Sequence, residues 1–349
     1  MTTASGKTHR LLASIQRKVI EQLNIYKIRI FLLLNATLKG QRFAVIVSMP
    51  QAAHLSVICY QHLTKQRPDL AILIVENELS SLESHSIRRL CNNKNTFHLS
   101  IYCKPLRHDQ ILNSLIYSAR QDFWIVDHDC LVFSGSALKD AEQQAVQAGC
   151  AGVYFFGDKV SNNELGLIKP HTFLMFLGAK QLRRICKKYK VSTSPQKWQD
   201  LSMLAQRKLS SLGFSQDKTP ENGKDFWDTF SIICFLSIAD QVGFMQAADY
   251  SAWFASHDIA VHFGNTSYPS FEKTPPPSPH INGWGYRSIG AYYWRLCLDS
   301  IDNFPAKQQY LETVNRLPSC HEMRNILIQG GISAATIDYI NSIFTAATE

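Results

Sequence analysis

Short apolar runs alternate with amphipathic segments through the first third of the chain. Four runs are rich in Val, Ile, Leu and Phe, as buried strands are, and they lie at residues 43–47, 70–75, 98–102 and 123–126. Between them, apolar residues recur at steps of three and four, which predicts helices over 52–64, 79–91 and 108–120. Strands and helices that alternate in this way predict an α/β protein, with helices on both faces of a mostly parallel sheet.

The rest of the chain is less regular, and its pattern predicts helical additions at both ends. Strands are expected at 152–156, 170–177 and 259–262, and helices at 8–38, 177–190, 226–242, 286–300, 307–317 and 333–347. Polar, Pro-containing and Gly-containing stretches predict loops at 213–224 and 270–285. We therefore expect three parts: a basic helical extension over 1–40, a main domain over 41–270 with halves 41–135 and 136–270, and a Pro-rich loop with a helical section over 271–349.

Composition allows one large domain or two smaller ones and argues against a disordered chain. The 349 residues are 45% apolar and only 18% charged. The nine cysteines are odd in number and never form C-x-x-C, so free thiols are expected rather than a zinc site or a disulfide framework. No secretory leader is seen, and Arg29 interrupts the apolar run 28–34, which is too short to span a bilayer. We expect a cytoplasmic protein, at most peripheral at the inner face of a membrane.

Positive charge is concentrated at the start of the chain. Residues 1–40 contain seven basic residues and one acid, Glu21, so they carry +6 of the formal charge of +8. Such asymmetry favours an anionic partner, either a membrane surface or nucleic acid. A solvated helix face explains the pattern equally well. Nucleic acid is the weaker of the two partners, because the basic residues do not accompany an aromatic platform or a known recognition motif.

The most informative segment is the run FWIVDHDCLVF at 123–133, an apolar strand that ends in Asp127-His128-Asp129. Two carboxylates two residues apart at a strand end reach the same small region. They can share a divalent cation such as Mg²⁺ or Mn²⁺, which prefers oxygen ligands. Such a cation can bridge the phosphates of a nucleotide diphosphate. The other interpretation is a turn or a helix cap.

Four pieces in order resemble the nucleotide-binding half of a family 2-like GT-A glycosyltransferase: AVIVSMP, ILIVENE, the pair Leu112-Asn113 on a helix, and IVDHD. The resemblance covers residues 42–133 and, more loosely, 150–268. It implies a GT-A (Rossmann-like) fold and a set of nucleotide-sugar-binding residues: Ser48, Met49, Pro50, Glu76, Asn77, Asn113, Asp127, His128 and Asp129. Glu76 stands where the family usually has Asp, and a plain strand-end acid is the alternative for it.

The same resemblance implies a catalytic base and a third metal ligand in the second half. The segment 224–229, KDFWDT, offers Asp228 as the base, with Asp225 second, although either acid could simply cap the following helix. His262 would complete a Mn²⁺ or Mg²⁺ site with Asp127 and Asp129, unless it is an ordinary half-buried histidine.

The resemblance implies an inverting, metal-dependent hexosyltransferase. It would take a UDP- or GDP-sugar and transfer the sugar to a carbohydrate, a lipid-linked or a protein acceptor. Two rivals stay open. A nucleotidyltransferase could use a similar fold and paired acids, although no Gly-rich basic loop follows the first strand. A non-catalytic GT-A-like binding protein is the other. The aromatic residues Trp284, Tyr292, Tyr293 and Trp294 fit helix packing better than a sugar-stacking wall.

Overall fold

The computed structural model describes residues 4–160, 165–220, 226–227, 229–247, 259–263, 284–313 and 319–348. These contain the following strands: β1 (Phe43–Ser48), β2 (Ala71–Asn77), β3 (Thr96–Ile101), β4 (Phe123–Asp127), β5 (Cys130–Val132), β6 (Gly152–Tyr154), β7 (Gly157–Lys159), β8 (Ile168–Pro170), β9 (Leu174–Leu177), β10 (Gln196–Lys197), β11 (Phe226–Trp227), β12 (Phe244–Gln246) and β13 (Ala260–His262).

The helices are α1 (Ala4–Leu34), α2 (Ala36–Gly40), α3 (Ala53–Gln66), α4 (Ser81–Leu90), α5 (His108–Ser118), α6 (Gly135–Ala148), α7 (Ala179–Tyr189), α8 (Met203–Ser210), α9 (Ser231–Ala239), α10 (Trp284–Ser300), α11 (Lys307–Thr313), α12 (Cys320–Gln329) and α13 (Ala334–Thr348). Among the described residues, no helix combines the length and the apolar character that a membrane span needs.

A seven-stranded sheet in the order β12-β6-β9-β4-β1-β2-β3 forms the centre of the molecule. Strand β9 runs antiparallel to both of its neighbours, and the other six strands are parallel to one another. Strands β1 and β2 are buried almost throughout, which explains their continuous apolar runs. The predicted fold class, an α/β protein with a mostly parallel sheet flanked by helices, is confirmed.

Two layers of helices cover the two faces of the sheet. One core contains side chains of α3 and of the C-terminal helices α10 to α13, and the other contains side chains of α1, α5, α7, α8 and α9. Hydrogen bonds tie the C-terminal section directly to helices α3 and α4. The Ala53 amide donates to the Tyr310 hydroxyl, and the Ala306 amide donates to the Ser86 hydroxyl. One continuous core therefore joins residues of the predicted C-terminal section to those of the main domain.

Most predicted elements are present within a few residues, and three of them differ from the prediction. The predicted helix over 8–38 breaks at Asn35, whose side chain accepts from the Leu38 amide and starts α2. The predicted strand over 170–177 is two strands, β8 and β9, which lie in different sheets. The predicted helix over 226–242 was wrong at its start. Trp227 lies in β11, where it pairs with Gln196 of β10. Phe230 has a left-handed φ of 71° immediately before α9 begins.

Three helices, α6, α8 and α12, were not predicted from the sequence. Each of them has a serine N-cap whose hydroxyl accepts from the backbone amide three residues later, at Ser134, Ser202 and Ser319. The three serines were the sequence feature from which these helix starts could have been predicted. The packing role expected for the aromatic residues of α10 is confirmed for Tyr292, Tyr293 and Trp294, which are buried. Residues 270–283 of the predicted loop 270–285 and the side chain of Trp284 lie outside the described residues, and the end of that prediction was wrong because α10 begins at Trp284.

Candidate functional site

The site is built at the carboxyl end of β4, beside β1. Asp127 is the last residue of β4 and lies opposite Val47 in the parallel pair with β1. On the other side of β4, the Asp127 amide donates to the Phe173 carbonyl at 2.8 Å. The Cys59 thiol of α3 donates to the Asp127 carbonyl at 3.4 Å. Contacts to the Asp127 backbone from three directions thus position this residue at the edge where open α/β sheets bind ligands.

Asp129 and His262 meet because β5 pairs with β13. In this antiparallel pair Cys130 lies opposite His262, and the Phe263 amide donates to the Asp129 carbonyl at 3.1 Å. As a result, His262 Nε2 lies 3.0 Å from Asp129 Oδ1, and both side chains are buried. The ring of Phe173 stacks on the His262 ring with 3.4 Å between centroids, which restrains the imidazole. His262 is thereby fixed against a carboxylate 133 positions away in the sequence.

The three predicted metal ligands form one cluster. One ligand atom from each of Asp127, Asp129 and His262 lies within 4.8 Å of the other two. Burial raises the pKa of Asp127, and the neighbouring Asp129 raises it further, while His108, His262 and His128 oppose this increase. Two carboxylates and an imidazole form a donor set that Mn²⁺ accepts, and a divalent cation would offset the repulsion between the acids. The residues present therefore fit such an ion.

Two further histidines border this cluster, and each is held differently. His128 Nδ1 donates to the Val47 carbonyl at 3.1 Å, so the side chain braces the turn between the two aspartates. His108, the first residue of α5, was missed by the sequence interpretation. Its positive form would lower the pKa of Asp127, and its Nε2 is buried without a hydrogen-bond partner among the described residues. His108 could have been noticed in the sequence as a polar residue at the start of the helix that follows the third predicted strand.

Glu76, the second-last residue of β2, lies on the same sheet edge, but its carboxylate is occupied within the protein. Arg88 donates to both of its oxygens, at 2.9 and 3.1 Å, and the Ser100 hydroxyl donates at 2.7 Å. His98 Nδ1 lies 3.2 Å from Oε1. Burial raises the pKa of Glu76, but hydrogen bonds from His98, Arg88 and Ser100 outweigh it and bring the pKa to about 2. Glu76 is thus a buried and fully paired acid.

The end of β1 and the loop that follows it contact helices α3, α4 and α10. Ser48 is buried and accepts from the Ser56 hydroxyl at 2.8 Å, and Met49 packs partly against the core. Pro50 lies in a turn and is half-buried. The next residue, Gln51, donates its amide to Glu83 and accepts from the Trp294 indole at 2.7 Å. Helices α4 and α10 therefore restrain this loop.

Two asparagines of the predicted set, Asn77 and Asn113, are not members of the three-residue cluster. The Asn77 side chain accepts from the Leu106 amide, donates to the Leu106 carbonyl and lies 3.2 Å from Met49 Sδ, which closes the loop after β3 over the end of β2. Asn113 is half-buried in α5, and its Oδ1 has no hydrogen-bond partner in the described part of the chain. The two candidate bases, Asp225 and Asp228, lie outside the described residues.

No family model matches the chain, and no curated protein matches it. Several solved structures are similar in fold, among them GT-A glycosyltransferases. The structure of S. aureus TarS residues 1–349 is 11% identical, covers 78% of this chain and 69% of its own, and has a TM-score of 0.38.

Two further similar structures belong to different enzyme classes. The mannosyltransferase PcManGT from Pyrobaculum calidifontis, in complex with GDP-Man and Mn²⁺, is 12% identical, covers 97% of this chain and 91% of its own, and has a TM-score of 0.38. The 4-diphosphocytidyl-2C-methyl-D-erythritol synthase from Anaerococcus prevotii is 8% identical, covers 44% of this chain and 77% of its own, and has a TM-score of 0.30. At these values the chain is similar to these proteins in general architecture, and its chemistry follows from its own residues.

Proposed function

We propose that this protein is a metal-dependent, inverting glycosyltransferase of the hexosyltransferase type. It would move a sugar from a nucleotide-diphosphate sugar, with UDP- or GDP-sugars as the expected donors, to an acceptor hydroxyl. The observation that carries the proposal is the convergence of Asp127, Asp129 and His262 within 4.8 Å at the carboxyl edge of a parallel sheet. A carbohydrate, a lipid-linked sugar or a protein would supply the acceptor hydroxyl.

The chain's own residues would bind the donor and hold its diphosphate. Asp127, Asp129 and His262 would hold Mn²⁺ or Mg²⁺, with Mn²⁺ favoured because one donor is an imidazole. When bound, the cation would offset the negative charge that develops on the departing diphosphate. Phe173 stacks on His262, and His128 bonds to the Val47 carbonyl, so the ligand residues are held in place before a donor arrives.

The proposed base that accepts the proton of the acceptor hydroxyl is Asp228, with Asp225 as the second candidate. A deprotonated carboxylate within hydrogen-bond reach of the hydroxyl can accept its proton as the bond to the sugar forms. Both acids flank the described pair Phe226–Trp227 of β11, and the Trp227 ring is buried. Replacement of the true base, by Asp228→Asn or Asp225→Asn, should lower kcat by about a hundredfold or more and leave donor affinity unchanged.

Calorimetric titration of UDP, GDP and their sugar conjugates, with and without Mn²⁺, tests the donor site. The wild-type protein should bind one nucleotide in a metal-dependent way, and Asp127→Asn/Asp129→Asn should abolish that binding. Asp140→Asn, which changes an exposed acid of α6, is the matched control and should behave as the wild type does. Metal-independent binding, or no binding by a folded wild type, would overturn the proposal.

Product analysis separates the two rival functions from a glycosyltransferase. A nucleotidyltransferase would release pyrophosphate from a nucleoside triphosphate and a sugar phosphate, and this activity would replace donor-sugar transfer. A non-catalytic binding protein would bind the nucleotide-sugar without turnover across an acceptor screen. For a glycosyltransferase, proton NMR of the new glycosidic linkage reports whether the anomeric configuration is inverted.

A further inference from the structure

Helix α1 carries two apolar faces, and the described part of the chain covers one of them. Ile28 and Leu32 are buried against the body of the protein. On the other side, seven large apolar side chains are each about half exposed or more: Ile15, Val19, Leu23, Tyr26, Ile30, Leu33 and Leu34. At 3.6 residues per turn these seven positions fall within one arc of about 100°. We call this surface the α1 ridge.

The covered face fastens α1 firmly to the sheet layer. The Asn24 amide group donates to the Tyr102 and Lys104 carbonyls at 3.1 and 3.3 Å, and Lys27 Nζ donates to the Ser100 carbonyl at 2.6 Å. Glu21 accepts from Lys104 and from Gln110 of α5. The ridge is therefore presented in a fixed orientation and is not the face of a loosely attached helix.

The charges beside the ridge identify its partner. Two cations flank one side of the arc: Lys18, which is exposed, and Arg29, which is half-buried. Glu21 is the single acid among residues 1–40, and it is held by Lys104 against the body. An exposed apolar arc bordered on one side by cations, on a helix whose single acid is paired, has the charge pattern of a helix that lies in the interface of an anionic bilayer.

We infer that α1 docks this protein on an anionic lipid bilayer, with the α1 ridge buried at the boundary between headgroups and acyl chains. The alternative partner is a second copy of the chain, because apolar residues spaced three and four apart can also pack against the same helix of another copy. Pairing two such helices through the ridge would bring the Lys18 and Arg29 cations of both copies to one seam, with no acid to offset them. An anionic bilayer supplies the opposite charge, so it fits the surface better.

Docking in this orientation bears on the acceptor. Glu21 contacts Lys104 and Gln110, which follow the carboxyl end of β3, so this part of α1 lies at the sheet edge that carries Asp127 and Asp129. A docked protein would hold that edge near the lipid headgroups. This favours a lipid-linked acceptor, an inference that rests on the proposed transferase function, whereas the docking itself does not depend on it.

Vesicle co-sedimentation of the full chain tests the docking without any nucleotide. The protein should bind phosphatidylcholine vesicles that contain phosphatidylglycerol, and should bind pure phosphatidylcholine at least about tenfold more weakly. Leu23→Glu/Ile30→Glu places two charges on the ridge at side chains that are 62% and 53% exposed, and should reduce binding at least about tenfold. Lys18→Glu should reduce binding to the anionic vesicles and leave the weaker binding to pure phosphatidylcholine unchanged.

Leu165→Glu/Met203→Glu is the matched control, because these side chains are 62% and 68% exposed and lie outside α1. It should bind vesicles as the wild type does. Absence of wild-type binding to anionic vesicles, or equal losses in the ridge and control variants, would overturn the inference. A lipid-free dimer that Leu23→Glu/Ile30→Glu dissociates, without vesicle binding by the wild type, would assign the ridge to a second copy instead.

Thermal unfolding and Mn²⁺-dependent nucleotide binding of each variant separate the two proposals. A ridge variant that unfolds as the wild type does and still binds nucleotide has lost a lipid contact and not its fold. Vesicle binding without nucleotide binding would support the docking and contradict the transferase proposal. Nucleotide binding without vesicle binding would support the transferase proposal and contradict the docking.

Discussion

Two acids on the same edge of the central sheet have opposite electrostatic surroundings. Strand β1 lies between them, with Ser48 opposite Glu76 of β2 and Val47 opposite Asp127 of β4. Glu76 is fully buried but receives hydrogen bonds from an arginine and a serine, and its pKa falls to about 2. Asp127 is buried next to a second carboxylate, and its pKa is raised.

The difference distinguishes an acid that the fold has already neutralised from a pair that awaits an external charge. Glu76 has its counter-ion within the chain, so it contributes to stability and has no oxygen left for a ligand. Asp127 and Asp129 repel each other, and the histidines beside them compensate only in part. Perturbed acids of the second kind concentrate at functional sites. The four predictions below test this contrast, and they run from the largest expected effect to the smallest.

Asp127→Asn/Asp129→Asn should lower metal-dependent sugar transfer by about a thousandfold or more, because several kcal/mol of charge stabilisation are lost. Measured in the presence of a chelator, its free energy of unfolding should stay within about 1 kcal/mol of the wild-type value, since the substitution removes a like-charge pair. Initial rates of transfer and urea unfolding are the measurements. A loss of several kcal/mol of stability would make the two aspartates structural and end the contrast.

Glu76→Gln should show the reverse pattern. It removes the partner of Arg88, and we expect the free energy of unfolding to fall by about 2–3 kcal/mol, less than for a fully buried pair because the Arg88 side chain is 49% exposed. Urea unfolding measures this, with Asp140→Asn as the control. Affinity for Mn²⁺ should stay within about twofold of the wild type. A selective loss of nucleotide affinity would instead restore the nucleoside contact expected for Glu76 from the sequence.

The stability due to Glu76 should depend on pH in one direction. Its pKa is lowered on folding from 4.5 to about 2, so the unfolded chain takes up the proton first as pH falls. The contribution is therefore fully present above pH 4.5 and is lost as pH falls through about 2. The difference in unfolding free energy between wild type and Glu76→Gln should shrink by about 2 kcal/mol between pH 6 and pH 2. A constant difference would contradict the assigned pairing.

Arg88→Met and Arg89→Met form the smallest and most closely matched test. The two residues are neighbours on α4, and both are exposed, but it is Arg88 that donates hydrogen bonds to Glu76. Arg88→Met should cost about 1–2 kcal/mol of stability because it leaves a buried carboxylate with weaker partners. Arg89→Met should stay within about 0.5 kcal/mol of the wild type. Equal effects in urea unfolding would mean that the ion pair contributes nothing specific.

The sheet and the paired aspartates could be predicted from the sequence because both depend on local pattern. Strands that are buried on both faces must be continuous apolar runs, so β1, β2 and β4 could be placed to within one or two residues. Asp127 and Asp129 are only two residues apart and directly follow an apolar run, so the sequence alone places both at the end of one strand. The predicted start of α9 at residue 226 was wrong, because Trp227 pairs as a strand residue with Gln196, which is distant in the sequence, and this pairing overrides the helical pattern.

What the sequence by itself determined is therefore the α/β architecture and the position of the acids on one sheet edge, since local apolar periodicity encodes both. The tertiary structure alone decided the contacts made by residues that are far apart in the chain. Pairing of β5 with β13 brought His262 to Asp129, and folding of α4 and β3 against β2 supplied the partners that neutralise Glu76. It also decided which apolar face of α1 is covered. Such contacts depend on how distant segments pack, and no short window of sequence contains that information.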